Sequence, residues 1–279
     1  MKFMPFFISL VLGIGGAWFV ANYGHKLRLL DNPNGRSSHH VVTPKGGGVG
    51  ILAALVFGSL VLSIPKNFWI SSTFLALISL WGDRHELSPK FRLSTQFIAA
   101  LILLVPILFP NSFPHFNPEH VPSNAPSISL GFSILLLLLL SIFIIGTANF
   151  YNFMDGINGI AGITGVVGFG LLSYYAYISG HKASIFTLSI CISLACLGFL
   201  PFNMPKARVF MGDVGSIFLG FVFAGMVVWI SRSFLDFLVL TSFLFPFYAD
   251  EITTIVERLR NGENLMKPHR RHLYQLLAN

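Results

Sequence analysis

From Leu130 to Thr147 the chain runs almost wholly apolar for eighteen residues, then turns abruptly into NFYNFMDGING at 149–159. A run of that length fits the hydrocarbon core of a bilayer, which a helix of roughly 17–25 residues crosses. In lipid the backbone must satisfy its own hydrogen bonds, and a single segment does so only as a helix. Similar runs recur near 3–23, 48–64, 67–82, 94–110, 159–179, 183–202, 214–230 and 234–255. Only 10 % of the residues are charged, against about 25 % in a soluble domain, and the mean hydropathy is +0.72. The reading is an all-α polytopic integral membrane protein with about nine transmembrane helices, forming a single transmembrane domain over 1–279. The second and third spans are separated only by Pro65–Lys66, which predicts a tight helical hairpin. The first span is followed by a charged segment and further spans, so it reads as a span and not as a signal peptide.

Lys and Arg set the orientation. Loops on one side hold fourteen of them, from Lys26 to Arg271, and the other side holds four: Lys2, Lys66, Lys182 and Arg232. The richer side is expected to be cytoplasmic, with the N-terminus outside and the C-terminus inside. The net charge of +7 is thus a topology signal and needs no nucleic acid. Cys191 and Cys196 fall within one span, at a spacing that suits buried apolar packing and no metal motif.

The acidic residues gather at one interface. Asp31, Asp83, Glu86, Asp155, Asp213, Glu257 and Glu263 fall in inside loops or at inside helix ends, and Asp250 and Glu251 lie near the inner end of the last span. A transporter more often holds its carboxylates at mid-membrane, on discontinuous helices. An enzyme at the cytoplasmic lipid boundary fits better.

Five inside segments carry the dense polar content. In DNPNGRSSHHVVTPKGGGVGI (31–51), three glycines permit close approach of backbone to a ligand or to a neighbouring helix. WGDRHELSPKFRL (81–93) joins Asp83 to Arg84, Lys90 and Arg92. In NFYNFMDGING, Asn152 and Asn158 flank Asp155 three residues to either side, so on a helical turn the three would share a face. FNMPKARVFMGDVGSIFLG (202–220) sets Asp213 between Gly212 and Gly215 at the start of a span, as a helix cap or a cation ligand. MKPHRRHLYQ (266–275) places His269 and His272 among arginines, which suits phosphate or anionic lipid better than zinc. Carboxylates with Lys, Arg and His at a membrane surface suggest phosphoryl chemistry, where Mg²⁺ is held by one or two carboxylates together with substrate phosphates.

These segments, in order, resemble the polyprenyl-phosphate sugar-1-phosphate transferase superfamily, which includes the phospho-MurNAc-pentapeptide translocase and the bacterial undecaprenyl-phosphate UDP-HexNAc-1-phosphate transferases (glycosyltransferase family 4). NFYNFMDGINGIAG resembles its Asn-x-x-Asn-x-x-Asp-Gly signature, and FMGDVGS its Gly-Asp-x-Gly-Ser signature. TPKGGG, DRHELSPKFRL and HRRHLYQ match further hallmarks, the last most like the branch that makes O-antigen and related glycolipids. The resemblance implies transfer of a sugar-1-phosphate, HexNAc-1-phosphate foremost, from a UDP-sugar to undecaprenyl phosphate, starting a cell-envelope glycan. It implies Mg²⁺, with Mn²⁺ as a possible substitute, bound by Asp213. Asp83, Asp155 and His272 would be catalytic. Asn152, Gly156, Asn158, Asn203, Phe210, Thr43 and His269 would bind the substrate, with Phe210 stacking on uracil, while Lys90 and Arg92 would guide the lipid phosphate. The implied place is the bacterial inner membrane, multi-pass, with the site facing the cytoplasm and membrane lipid beside it. A homodimer is open.

Three features depart from that pattern. Gly82 stands where the family carries the first of two adjacent Asp residues, to which deprotonation of the lipid phosphate is ascribed. A phosphate monoester has a second pKa near 6 and is largely dianionic at pH 7, so the chain can dispense with that base or be impaired without it. Asn158 stands where many members carry Asp. Members usually continue with one or two more helices past the position of Gln275. Two alternatives therefore stay open: an impaired relative that only binds UDP-sugar or lipid, and a glycolipid transporter or flippase.

Overall fold

The computed structural model describes residues 3–33, 41–85, 87–109, 129–263 and 273. Among these residues ten α-helices follow in order: α1 (Met4–Leu27), α2 (Val49–Val61), α3 (Lys66–Arg84), α4 (Pro89–Leu108), α5 (Leu130–Phe153), α6 (Ile160–Ile178), α7 (Ala183–Asn203), α8 (Asp213–Ile230), α9 (Phe234–Thr241) and α10 (Phe245–Arg260). Each of the nine expected spans coincides with helix. Seven stretches among the described residues are long and apolar enough to cross a membrane.

The two shortfalls are α2 and α3. With thirteen residues, α2 is too short to span alone. In α3, Asn67, Ser71, Ser72 and Ser79 lower the hydropathy, and all four are buried against protein. Three of them donate locally: the Ser71 and Ser72 hydroxyls to the Phe68 carbonyl, and the Asn67 amide N–H to the Leu103 carbonyl on α4. The hairpin between α2 and α3 forms as expected. The last span is broken into α9, a 3₁₀ turn at Ser242–Leu244, and α10. Pro246, in the first turn of α10, supplies no N–H and crowds the carbonyl four residues back, which forces the break.

At the centre stands α8, packed against α2, α3, α5, α6 and α9. Every residue from Val214 to Val227 is buried. A helix that is apolar all round is stable where protein surrounds it, and small residues bring its neighbours close. At Gly220 an added Cβ would lie 2.7 Å from the Ala148 Cα of α5. Gln96 of α4 and Asn149 of α5 exchange amide hydrogen bonds of 3.3 and 2.7 Å, which fixes the register of those helices.

One small element was not expected. Leu30–Asp31 (β1) pairs antiparallel with Thr43–Pro44 (β2), in the register Leu30↔Pro44 and Asp31↔Thr43. Lys45 then bridges in parallel to Phe210. This short ladder ties the segment after α1 to the segment before α8.

Candidate active site

The site is assembled by the glycine loop. Phe210 N–H donates to the Pro44 carbonyl at 2.8 Å. In return Gly46 and Gly47 N–H donate to the Phe210 carbonyl at 3.1 and 2.9 Å, and Gly48 N–H to the Met211 carbonyl at 3.0 Å. All three glycine amides are thus engaged by protein, and the loop serves close packing of backbone on backbone. Gly212 completes the fit. Its φ is +74°, and a Cβ there would lie 2.6 Å from Gly46 N and 2.7 Å from Asp83 Oδ2, so only glycine fits.

This zipper sets the N-terminus of α8 against the end of α3. Asp83 Oδ1 accepts from Asp213 N–H and Asp83 Oδ2 from Val214 N–H, each at 3.0 Å. A carboxylate 130 residues away in the chain thereby caps a helix whose own cap residue is Gly212. It satisfies two of the amides that every helix start leaves open, and it complements the dipole. Lys45 Nζ stands 4.0 Å from Asp83 Oδ1. The geometry on display is that of a positioning group.

Asp213 begins α8 with its carboxylate turned to an open cleft. Oδ1 accepts from Asn152 Nδ2 at 2.9 Å, and the same amide donates to Ser216 Oγ at 2.8 Å. Ser216 in turn donates to the Gly212 carbonyl at 3.0 Å. Oδ2 meets Arg92 Nη2 at 2.7 Å. The cleft lies between α3, α4 and α8. Leu75, Ile78 and Ile217 form its apolar wall, and Ser79, Thr95 and Gln96 lie beside Arg92 and Asp213. The cleft thus joins apolar side chains to one ion pair, Arg92 with Asp213.

Asp155 is half-buried in the bend between α5 and α6. Burial, then the Asp213 and Asp83 carboxylates, push its carboxyl well above the ordinary aspartate value. Three carboxylates therefore share one field, answered by Lys45 and Arg92. Among the described residues no group of three or more His, Cys, Asp or Glu could hold a metal. The residues instead fit a cation held by few protein ligands and completed by phosphate oxygens, as Mg²⁺ is. Asp213 Oδ2 faces the cleft and already carries a cationic group.

The remaining expected site residues divide sharply. Asn203, at the end of α7, is buried, and its amide is used by protein: Oδ1 accepts from Gly159 N–H at 2.6 Å and Nδ2 donates to the Val209 carbonyl at 3.0 Å. It clamps the Asp155 loop to the segment before Asp213, and its amide is turned to protein. Asn158 does not share a face with Asn152 and Asp155, because α5 ends at Phe153 and the helical spacing stops there. Its amide is exposed and donates to the Pro205 carbonyl at 3.0 Å. Thr43 is buried and donates to the Val41 carbonyl. Gly156 and Phe210 are half-buried on the two loops that flank Asp213, and Lys90 is exposed on the first turn of α4. His269 and His272 lie outside the described residues. Lys45 and Ser216 belong to the same network without having been singled out. Both sit inside the glycine and Gly-Asp motifs, the signal that could have found them.

Fold and site define a multi-pass membrane protein with a carboxylate, asparagine and arginine centre at one end of its buried central helix. The profile of glycosyl transferase family 4 matches residues 67–231, more than half of the chain, and the chain belongs to that family. It is 26 % identical to the probable undecaprenyl-phosphate N-acetylglucosaminyl 1-phosphate transferase of Bacillus subtilis, over 98 % of this chain and 76 % of that one. It is 26 % identical to the decaprenyl-phosphate N-acetylglucosaminephosphotransferase of Mycobacterium leprae, over 91 % of this chain and 71 % of that one. Over 32 % of the chain and 26 % of the relative, it is 37 % identical to the phospho-N-acetylmuramoyl-pentapeptide-transferase of Staphylococcus saprophyticus.

Proposed function

We propose that the chain transfers N-acetylhexosamine-1-phosphate from a UDP-sugar to undecaprenyl phosphate, releasing UMP, at the cytoplasmic face of a bacterial inner membrane. The observation that carries this reading is the Asp213 centre, opening into a cleft with an apolar wall and an arginine at its mouth. The names of the relatives support the lipid acceptor and the amino sugar.

In the reaction an oxygen of the lipid phosphate attacks the phosphorus on the sugar side of the donor diphosphate. The bond from that phosphorus to the bridging oxygen breaks, and UMP departs with it. Asp213 would hold a divalent cation, Mg²⁺ or Mn²⁺, which neutralises charge on the diphosphate oxygens. Asn152 orients Asp213, and Asp83 fixes the helix start on which Asp213 sits. Arg92 and Lys90 meet the acceptor phosphate. Asp155 lies beside the donor, and Phe210 faces the uracil.

Gly82 lines the cleft, and it favours a second reading: an impaired relative that only binds UDP-sugar or lipid. Purified protein with undecaprenyl phosphate and a panel of labelled UDP-sugars separates the two. Lipid-linked product together with UMP supports transfer. Calorimetric binding of UDP-sugar with no product from any donor supports the impaired reading, and neither binding nor product from folded protein sinks both.

A further inference from the structure

Two cations serve the two carboxylates at the start of α8, and they are not equivalent. Lys45 stands 4.0 Å from Asp83, whose side chain is 2 % exposed and whose oxygens both cap backbone amides. Arg92 stands 2.7 Å from Asp213 Oδ2, in a pair whose side chains are 37 % and 19 % exposed. The first pair is built into the helix start. The second lies at the mouth of the cleft, half in solvent, where an ion pair is weak enough to exchange.

Gly82 adjoins Arg92 on the wall of the cleft. A Cβ at position 82 would lie 3.9 Å from Arg92 Nη2 and 2.9 Å from Leu87 Cδ1. With glycine there, position 82 offers the guanidinium no carboxylate in competition with Asp213. A guanidinium also pairs with carboxylate and with phosphate by the same planar fork. It can leave one for the other without losing its charge.

We propose that Arg92 is the resident counter-cation of Asp213 in the ligand-free protein, and that it exchanges for a divalent cation as substrates enter, its guanidinium passing to the acceptor phosphate in the same cleft. The exchange keeps the carboxylate neutralised in both states and couples filling of the cation position to filling of the phosphate position. It rests on the reading of Asp213 as the divalent-cation carboxylate.

The test is Mn²⁺ binding without substrates, read from the loss of the free aqueous Mn²⁺ resonance as detergent-purified protein is titrated. Arg92→Gln removes the competitor and is expected to bind Mn²⁺ about fivefold more tightly than wild type, the scale of one displaced ion pair. Arg92→Lys keeps a charge but loses the fork, and should tighten binding by about threefold; it also serves if the glutamine variant fails to fold. Arg208→Gln is the control for bulk charge. That residue is exposed on the loop before α8, where its guanidinium stacks 4.8 Å from the Phe202 ring, and its loss should change affinity by less than about twofold. Wild-type affinity in both Arg92 variants overturns the exchange while leaving the metal reading intact. Equal tightening by Arg208→Gln overturns it as well. No Mn²⁺ binding by any of the proteins without substrates overturns the exchange; because phosphate oxygens complete the cation position, the metal reading falls only if binding is also absent with UDP-sugar added.

Discussion

Asp213 and Asn203 stand at helix ends on the same side of the bundle, within segments that read alike in sequence, and the structure uses them in opposite ways. Asp213 starts α8 and turns a carboxylate toward the cleft, held by Asn152 and Arg92. Asn203 ends α7, is 3 % exposed, and spends its amide on the Gly159 N–H and the Val209 carbonyl. One presents a group; the other holds the loops that let it be presented. A motif read as a list of ligand contacts merges these two kinds of residue. Substitution separates them, because loss of a presented group costs turnover and loss of a holding group costs the fold.

The largest effect is expected at Asp213. Asp213→Asn keeps the size of the side chain but removes the anion, and should lower turnover by about 10²–10³-fold, the usual cost of losing one charge-stabilising group. The unfolding midpoint should stay near that of wild type. Steady-state rates beside a thermal melt in detergent check both halves. A melt that falls as steeply as the rate would erase the contrast with Asn203.

Asp83 tests the boundary between the two classes. Asp83→Ala leaves Asp213 N–H and Val214 N–H without their acceptors in a buried setting, at about 1–3 kcal/mol for each unpaired group. Turnover should fall with stability, since the helix start that carries Asp213 loosens. Asp83→Asn still offers one acceptor oxygen and should recover part of the stability. Full stability with abolished turnover in the alanine variant would move Asp83 from holding to chemistry.

Asn203→Ala should cost about 2 kcal/mol by the same unpaired-group argument, read as a lowered midpoint. Asn158→Ala, which removes an exposed bond to the Pro205 carbonyl, should stay within about 0.5 kcal/mol. If the exposed asparagine matters more than the buried one, the ligand-facing reading of 158 returns.

The helices were legible because the periods of membrane sequence are blunt: apolar runs of known length bounded by charge. What failed to read through was where polar content hides. Asn67, Ser71 and Ser72 let α3 pass as a short span, whereas they are served by carbonyls of α3 and α4 inside the bundle. In the site, sequence spacing located Asp83, Asp155 and Asp213 at one face. It did not reveal that a carboxylate on α3 caps α8, because that pairing spans 130 residues and depends on the glycine zipper. The placement of Asn158 failed for a local reason. Three-residue spacing implies a shared face only while the helix lasts, and α5 ends at Phe153.

The effect expected at Asp155 is modest, and its sign discriminates. Burial and the neighbouring carboxylates raise its pKa in the folded protein above the ordinary 3.8. For an acid raised by folding, the native state holds the proton more tightly than the unfolded chain does, so ionisation at higher pH costs stability. That cost is absent well below pH 3.8 and grows as pH rises toward the folded pKa. With divalent cations chelated, Asp155→Asn should therefore raise the unfolding midpoint at pH 7 by a few degrees, about 2–4 °C, and the gain should shrink as the pH is lowered. Turnover should fall in the same variant. A group that weakens the fold in the empty protein while aiding the reaction is held for what it presents, as Asp213 is; a variant that loses stability at pH 7 would place Asp155 beside Asn203 among the residues that hold.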